Sequence, residues 1–229
     1  MGSTASWSRV RRGAFVVGLL CGFAVGLGGR VMAAPPAVGD VVAKLQERYD
    51  GTSSFRATFR QEIEIQALGH KLETGGQVYY RRPGRMRWEF SGPEKQTVVA
   101  DGSTLWLYQE AQRQVIRMEL ANAFRTTTPM SFLVGLGELR EDFDAELLAS
   151  PATDRLRLRL RPRAREADVG ALVLELASAT YDIVGAVVTD ATGGITRWVF
   201  SDMERNVPLD DALFEFTVPP GVDVVSPPS

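Results

Sequence analysis

The sequence predicts a mainly β protein, an antiparallel meander curled into a barrel or sandwich and accompanied by short helices. Three observations carry that expectation. From Ser54 onward apolar and polar residues alternate with a period of two; Gly, Pro and Asp-Gly-Ser turns separate the runs at regular spacing; and two stretches break the period with helical patterning.

The first 33 of the 229 residues differ from the rest. Arg9, Arg11 and Arg12 precede the apolar run "GAFVVGLLCGFAVGLGG", which leads into "RVMAAPPA". Basic head, apolar middle and small-residue exit describe a cleaved secretory signal peptide. Cleavage after Ala33 puts Val31 and Ala33 at the recognition positions; the bond after Ala34 is the second choice. An uncleaved membrane anchor competes on the length of the run, against its glycines and its Ala-rich exit. "RRGAF" matches a twin-arginine export signal only loosely. Leu19 and Leu20 make Cys21 a poor lipid-attachment site, so the single cysteine is expected to leave with the signal. Residues 34–229 then form one domain without disulfide, thiol catalysis or thiolate metal site.

The segment "AVGDVVAKLQERYDG" opens that domain. Val38, Val41, Val42, Leu45 and Tyr49 share one face at helical spacing, and Gly51 is the stop. Next, "SFRATFRQEIEI" alternates Phe55, Ala57, Phe59, Gln61, Ile63 and Ile65 against Arg56, Thr58, Arg60, Glu62 and Glu64, a half-buried strand. "ALGHKLETGG" reads as a hairpin connection. "QVYY", "RMRWEF", "QTVVA", "TLWLY" and "RQVIRM" follow as short strands, then "FDAELLA", "DRLRLRLRP", "ALVLELA", "DIVGAVVTD" and "ITRWVF". In "RLRLRLR", Leu156, Leu158 and Leu160 point inward, while Arg155, Arg157, Arg159 and Arg161 form a solvated comb. Between these sets lies "TTTPMSFLVGLGELRED", where Thr128 is an N-cap and Pro129 suits a first turn. Met130, Phe132, Leu133, Val134 and Leu136 make a short apolar helix that must lie against something.

Catalytic chemistry is scarce. His70, the only histidine, sits in the predicted hairpin tip without a second metal-ligand type beside it. The acid pairs at 140–142 and 209–211 fall at helix ends or in turns, and no phosphate loop or nucleophile elbow occurs. No catalytic residue, metal site or cofactor is therefore assigned. Without residues 1–33 the chain has 22 basic and 28 acidic residues, a net charge of −6 that argues against a nucleic-acid partner.

Shape remains. A curled sheet covers its concave face with side chains, a helix or a ligand. The aromatic supply is large and two apolar helices could act as lids, so an exported carrier of apolar cargo is suggested beside the alternative of a filled core.

The stretch "YYRRPGRMRWEFSGPEKQTVVADGSTLWLY" resembles the periplasmic outer-membrane lipoprotein carrier family, LolA. The likeness extends through "FRQE" at 59–62, "RQV" at 113–115, "TTPMSFLVG" and "LDDALFEFTVPPGVDVV". It implies an unclosed antiparallel barrel under an α-helical lid, holding the acyl chains of lipoproteins in the periplasm. Partners implied are acylated lipoproteins, an inner-membrane LolCDE-type transporter that loads the carrier, and an outer-membrane LolB-type receptor. The poor lipid-attachment context of Cys21 favours the soluble carrier over LolB itself. One domain of this kind is expected to act as a monomer.

In that resemblance the lid-latching arginine before the proline falls on Arg82, and the two apolar positions after the turn fall on Met86 and Trp88. Met86 departs from the aromatic residue common there. The expected acyl-chain cavity comprises Phe59, Val78, Tyr80, Met86, Trp88, Phe90, Trp106, Tyr108, Trp198 and Phe200; the lid comprises Val38, Val41, Val42 and Leu45 with Met130, Phe132, Leu133 and Leu136. Counting by twos from Val78 through Tyr80 puts Arg82 on the apolar face, where helix C-terminal carbonyls could satisfy its donors. Arg81, Arg85 and Arg87 are expected to be solvated charge. A sensor or scaffold of the same fold, or a carrier of another lipid, are the competing functions. The charged stretch 161–170 has no assigned role.

Overall fold

The computed structural model describes residues 36–65, 70–92, 94–121, 139–163, 169–190 and 193–226. Helix α1 spans Val38–Asp50. Strands β1 (Ser54–Ile65), β2 (His70–Arg81), β3 (Arg85–Ser91), β4 (Gln96–Asp101), β5 (Thr104–Gln109) and β6 (Gln114–Glu119) follow. After the four-residue α2 (Leu139–Asp142) come β7 (Phe143–Leu148), β8 (Arg155–Pro162), β9 (Val169–Ala177), β10 (Ile183–Asp190) and β11 (Ile195–Arg205). A 3-10 turn, Asp211–Phe214, and a short β12 (Asp223–Val225) close the chain. Among the described residues the twelve strands form one sheet in the order β12-β6-β5-β4-β3-β2-β1-β11-β10-β9-β8-β7. Its edges, β12 and β7, do not pair with each other, so the sheet stays open.

That the sheet curls follows from its aromatic contacts. Strands β3 and β11 are separated by β2 and β1, which on a flat sheet would place them about 14 Å apart. The rings of Trp88 on β3 and Phe200 on β11 nevertheless meet with centroids 6.2 Å apart. Their shared face is concave. Gly76 helps make the bend: a Cβ there would lie 1.7 Å from the Glu89 carbonyl oxygen and 3.0 Å from the Phe59 ring, so β2 passes β3 too closely for any side chain. The Phe59 ring covers the gap.

Two buried clusters fill the concave face. Under α1, Val41, Val42 and Leu45 pack on Leu158, Leu160, Leu172, Leu174, Leu176 and Ala186. Burial of those three helix side chains contributes about 1.5–3 kcal/mol each, which holds a 13-residue helix that would be marginal alone. Val38 is not part of this contact; it is 37% exposed, one turn before the helix reaches the sheet. The second cluster joins Ala57 and Phe59 of β1, Val78 and Tyr80 of β2, and Met86 and Trp88 of β3. Trp198 packs against both clusters.

Several expectations change. The stretch 70–76 is strand, not hairpin connection, because β2 pairs with β1 along its whole length, from His70 opposite Ile65 to Arg81 opposite Ser54. β12 went unpredicted; it runs parallel to β6 and is exposed throughout. Trp106 and Tyr108 lie on the opposite face from Trp88: Trp88 pairs with Val98, whose partner on β5 is Leu107, so the neighbouring residues Trp106 and Tyr108 point outward. Both meet Phe216 there, at ring distances of 5.6 and 6.1 Å.

The outward arginines are not merely solvated. Arg81 donates to the Leu209 carbonyl (3.0 Å) and to Asp211, with its guanidinium over the Phe214 ring. Arg85 reaches Asp211 at 2.9 Å, and Arg87 reaches the Leu213 carbonyl at 3.3 Å. Together they strap the C-terminal segment across the convex face, where Phe214 is buried. The comb on β8 does lie outward, with Arg159 and Arg161 both facing Glu146 at 3.0 and 3.7 Å. Met130, Phe132, Leu133 and Leu136 lie outside the described residues, as do 164–168 of the charged stretch.

Candidate functional site

The site lies where the last turn of α1 crosses the aromatic cluster. Phe55 and Tyr80 lie 5.2 Å apart with their rings tilted by 31°; Phe59 meets Trp88 and Phe90 edge-on at 4.9 and 5.0 Å; Phe200 closes on Trp88. Alternation along β1, β2, β3 and β11 places these rings, since inward positions on each strand recur every second residue. Of the expected cavity residues, Phe59, Val78, Tyr80, Met86, Trp88, Phe90, Trp198 and Phe200 come together on this face. Trp106 and Tyr108 do not.

A cavity of about 70 Å³ remains between the cluster and α1, lined among others by Leu45, Tyr49, Phe55, Tyr80, Trp88 and Phe200. An apolar cavity of about 150 Å³ is what one benzene occupies. The space beside α1 is smaller than that.

Arg82, the residue after β2, reaches the last turn of α1. Its Nη2 donates to the Tyr49 carbonyl at 3.0 Å, Nη1 lies 3.5 Å from the Asp50 carbonyl, and Nη2 lies 3.5 Å from Asp50 Oδ1. Carbonyls in the last turn of a helix have no partner within it, so they are natural acceptors for a guanidinium. The charge also sits over the Tyr49 ring, 4.7 Å from its centroid. Tyr49 is itself packed on Tyr80 and Arg82; burial, ahead of its contact with Tyr80, pushes its phenol well above the usual tyrosine range, so it stays neutral.

The opposite flank of α1 is fixed by residues that sequence reasoning missed. Asp182 accepts from Arg48 Nε (2.8 Å) and Nη2 (3.3 Å), from Arg205, and from Thr180 Oγ1 (2.7 Å). One carboxylate thus ties helix α1 to the β9–β10 turn and to the end of β11. Arg48, Asp182 and Arg205 are far apart in the chain and each reads alone as surface charge. No periodicity signals them.

Residues 50–217 match the family described as outer membrane lipoprotein carrier protein LolA. The chain belongs to the LolA family. Among curated relatives, the outer-membrane lipoprotein carrier protein of Chromobacterium violaceum is 32% identical over 193 residues, spanning 84% of this chain and 91% of that protein. The protein of the same name from Alkalilimnicola ehrlichii is 33% identical over 184 residues, spanning 80% and 82%. In fold, the chain is similar to the crystal structure of an uncharacterized conserved protein from Thermus thermophilus, with a TM-score of 0.53 and 16% identity over 82% of this chain and 98% of that one. The matched family span includes Arg82 and the rings of β1 to β3 and β11.

Proposed function

We propose that this protein carries lipoproteins through the periplasm by sheltering their acyl chains between α1 and the aromatic concave face. The observation that carries the reading is the nearly shut apolar cavity beneath a helix whose last turn is held by side-chain bonds. A buried methylene is worth about 0.8 kcal/mol, so an exposed acyl chain needs such shelter to cross water. Release needs a bistable element, and a helix latched by a few polar bonds supplies one. In this reading Arg82 closes the empty carrier, and its bonds to Tyr49 and Asp50 break when cargo enters. Val41, Val42 and Leu45 form the part of the lid that α1 contributes.

The finer assignments extend the same reading. Residues 1–33 serve as the signal peptide and 34–229 as the carrier domain, working as a monomer, without catalysis or cofactor. An inner-membrane transporter of the LolCDE type loads it and an outer-membrane receptor of the LolB type unloads it. Family membership favours this over a sensor of the same fold. Mass spectrometry of the protein purified gently from periplasm tests it: bound acylated lipoprotein is expected, and free lipid alone would overturn the assignment of cargo.

A further inference from the structure

The apolar cavity shares a wall with a second, polar space. A groove of about 610 Å³ opens beside the C-terminal half of α1, bounded by Lys44, Glu47, Thr180 and Asn206. Arg48, Thr52, Tyr181 and Arg205 line both spaces. A molecule with a hydrocarbon chain in the cavity would present its polar end to this groove.

What the wall offers that end is lopsided. The Asp182 carboxylate accepts four bonds, two from Arg48, one from Arg205 and one from Thr180, which fills its lone-pair sites. A guanidinium has five N–H donors, so both arginines keep donors beyond those bonds. Trp88 lines the cavity, and its Nε1 is buried with no acceptor among the described residues. A buried donor without an acceptor is costly, and a ligand that brings one removes the cost. On the wall shared by the two spaces, donors are left over and the Asp182 carboxylate is occupied; the Glu47 carboxylate lines the groove but not the cavity. The group complementary to that shared wall has oxygens that accept and do not donate.

Charge narrows the choice. Lys44, Arg48 and Arg205 face Glu47 and Asp182, leaving one unit of positive charge, and Lys44 is engaged by Tyr181, with its ammonium 5.0 Å from the ring centroid. A carboxylate at this mouth would trade its hydration for one net positive charge spread over five ionised groups, whereas a neutral carbonyl has far less hydration to give up. We propose that the groove seats the carbonyl end of a neutral acyl ester or amide, with Arg48 and Arg205 as donors, so that the carrier recognises an acylated molecule by its linkage as well as its chain. This rests on the carrier reading above and deepens it.

The test compares three ligands of equal chain length, a methyl ester, the free carboxylate and the plain alkane, by displacement of a fluorescent acyl probe. The ester should bind roughly tenfold tighter than the alkane and more tightly than the carboxylate. Arg205→Met and Arg48→Met should each lower the ester-to-alkane ratio. Equal affinity for ester and alkane, or a ratio unmoved by both variants, overturns the proposal, and tighter binding of the carboxylate overturns its neutral form. If none of the three binds, it is the carrier reading that fails. Infrared spectroscopy of a ¹³C-carbonyl ester on the unaltered protein removes dependence on the variants: a carbonyl stretch lowered from its value in hydrocarbon solvent is expected, and an unshifted one refutes the site.

Discussion

Arg82→Leu takes away the side chain that holds the last turn of α1 against the sheet. The bond to the Tyr49 carbonyl is the strong one at 3.0 Å, while the two contacts to Asp50 at 3.5 Å are marginal. A charged hydrogen bond contributes about 1.5–3 kcal/mol, and the lower half of that range applies because the Arg82 side chain is 35% exposed. The guanidinium over Tyr49 adds about 0.5–1 kcal/mol. The variant's closed state should thus weaken by about 2–3 kcal/mol, a shift of roughly 30- to 150-fold toward the open lid. If cargo binds the open form, affinity for an acyl probe rises by that factor, provided the closed state dominates in the unaltered protein. Loading should persist while hand-over to a receptor slows correspondingly. Fluorescent-probe titration, paired with the rate of lipoprotein transfer to receptor-bearing vesicles, measures both. An unchanged Kd, or hand-over as fast as the parent's, would refute the latch.

Other consequences concern the scaffold. Gly76→Ala forces a Cβ to within 1.7 Å of the Glu89 carbonyl, so β2 and β3 must separate; a loss of about 2–4 kcal/mol by chemical denaturation is expected, and a neutral result would mean the bend lies elsewhere. Phe214→Ala empties the socket beneath the C-terminal strap and should cost about 3–5 kcal/mol, with faster proteolysis after residue 208; retained stability would show that the strap is not part of the folded unit. Asp101, though partly buried, is held below the usual carboxylate range by the backbone N–H groups of Thr104 and Ser103 and the Ser103 hydroxyl. Its stabilisation is present above the unfolded-state pKa near 4 and is lost as pH falls below it. Asp101→Asn should therefore flatten the acid limb of the stability profile, and an unchanged limb would argue against the assignment.

How much of this was legible in the sequence varies with the kind of signal. The strands with one covered face and one wet face were readable, because alternation records that contrast; β8, with leucines inward and arginines outward, is the plainest case. "TLWLY" carries apolar residues at both parities, since the strap covers its outer face, so period alone could not say that Trp106 and Tyr108 face away from Trp88. β12 has three exposed residues and owes its place to the Arg113 carbonyl, which accepts from Asp223 N at 3.0 Å, a contact no local pattern encodes. Arg82 could be placed by counting along β2. The Arg48–Asp182–Arg205 cluster could not, because its members meet only once the sheet has curled.

The two faces of the sheet give the account its most direct test. Trp88 and Trp198 belong to the concave face and Trp106 to the convex one, so single-tryptophan versions report on each separately. Titrated with a lipopeptide whose acyl chain is brominated to quench fluorescence on contact, the Trp88 and Trp198 versions should be strongly quenched and the Trp106 version should not. Quenching of Trp106 with Trp88 spared would put the cargo on the wrong side of the sheet and contradict the account.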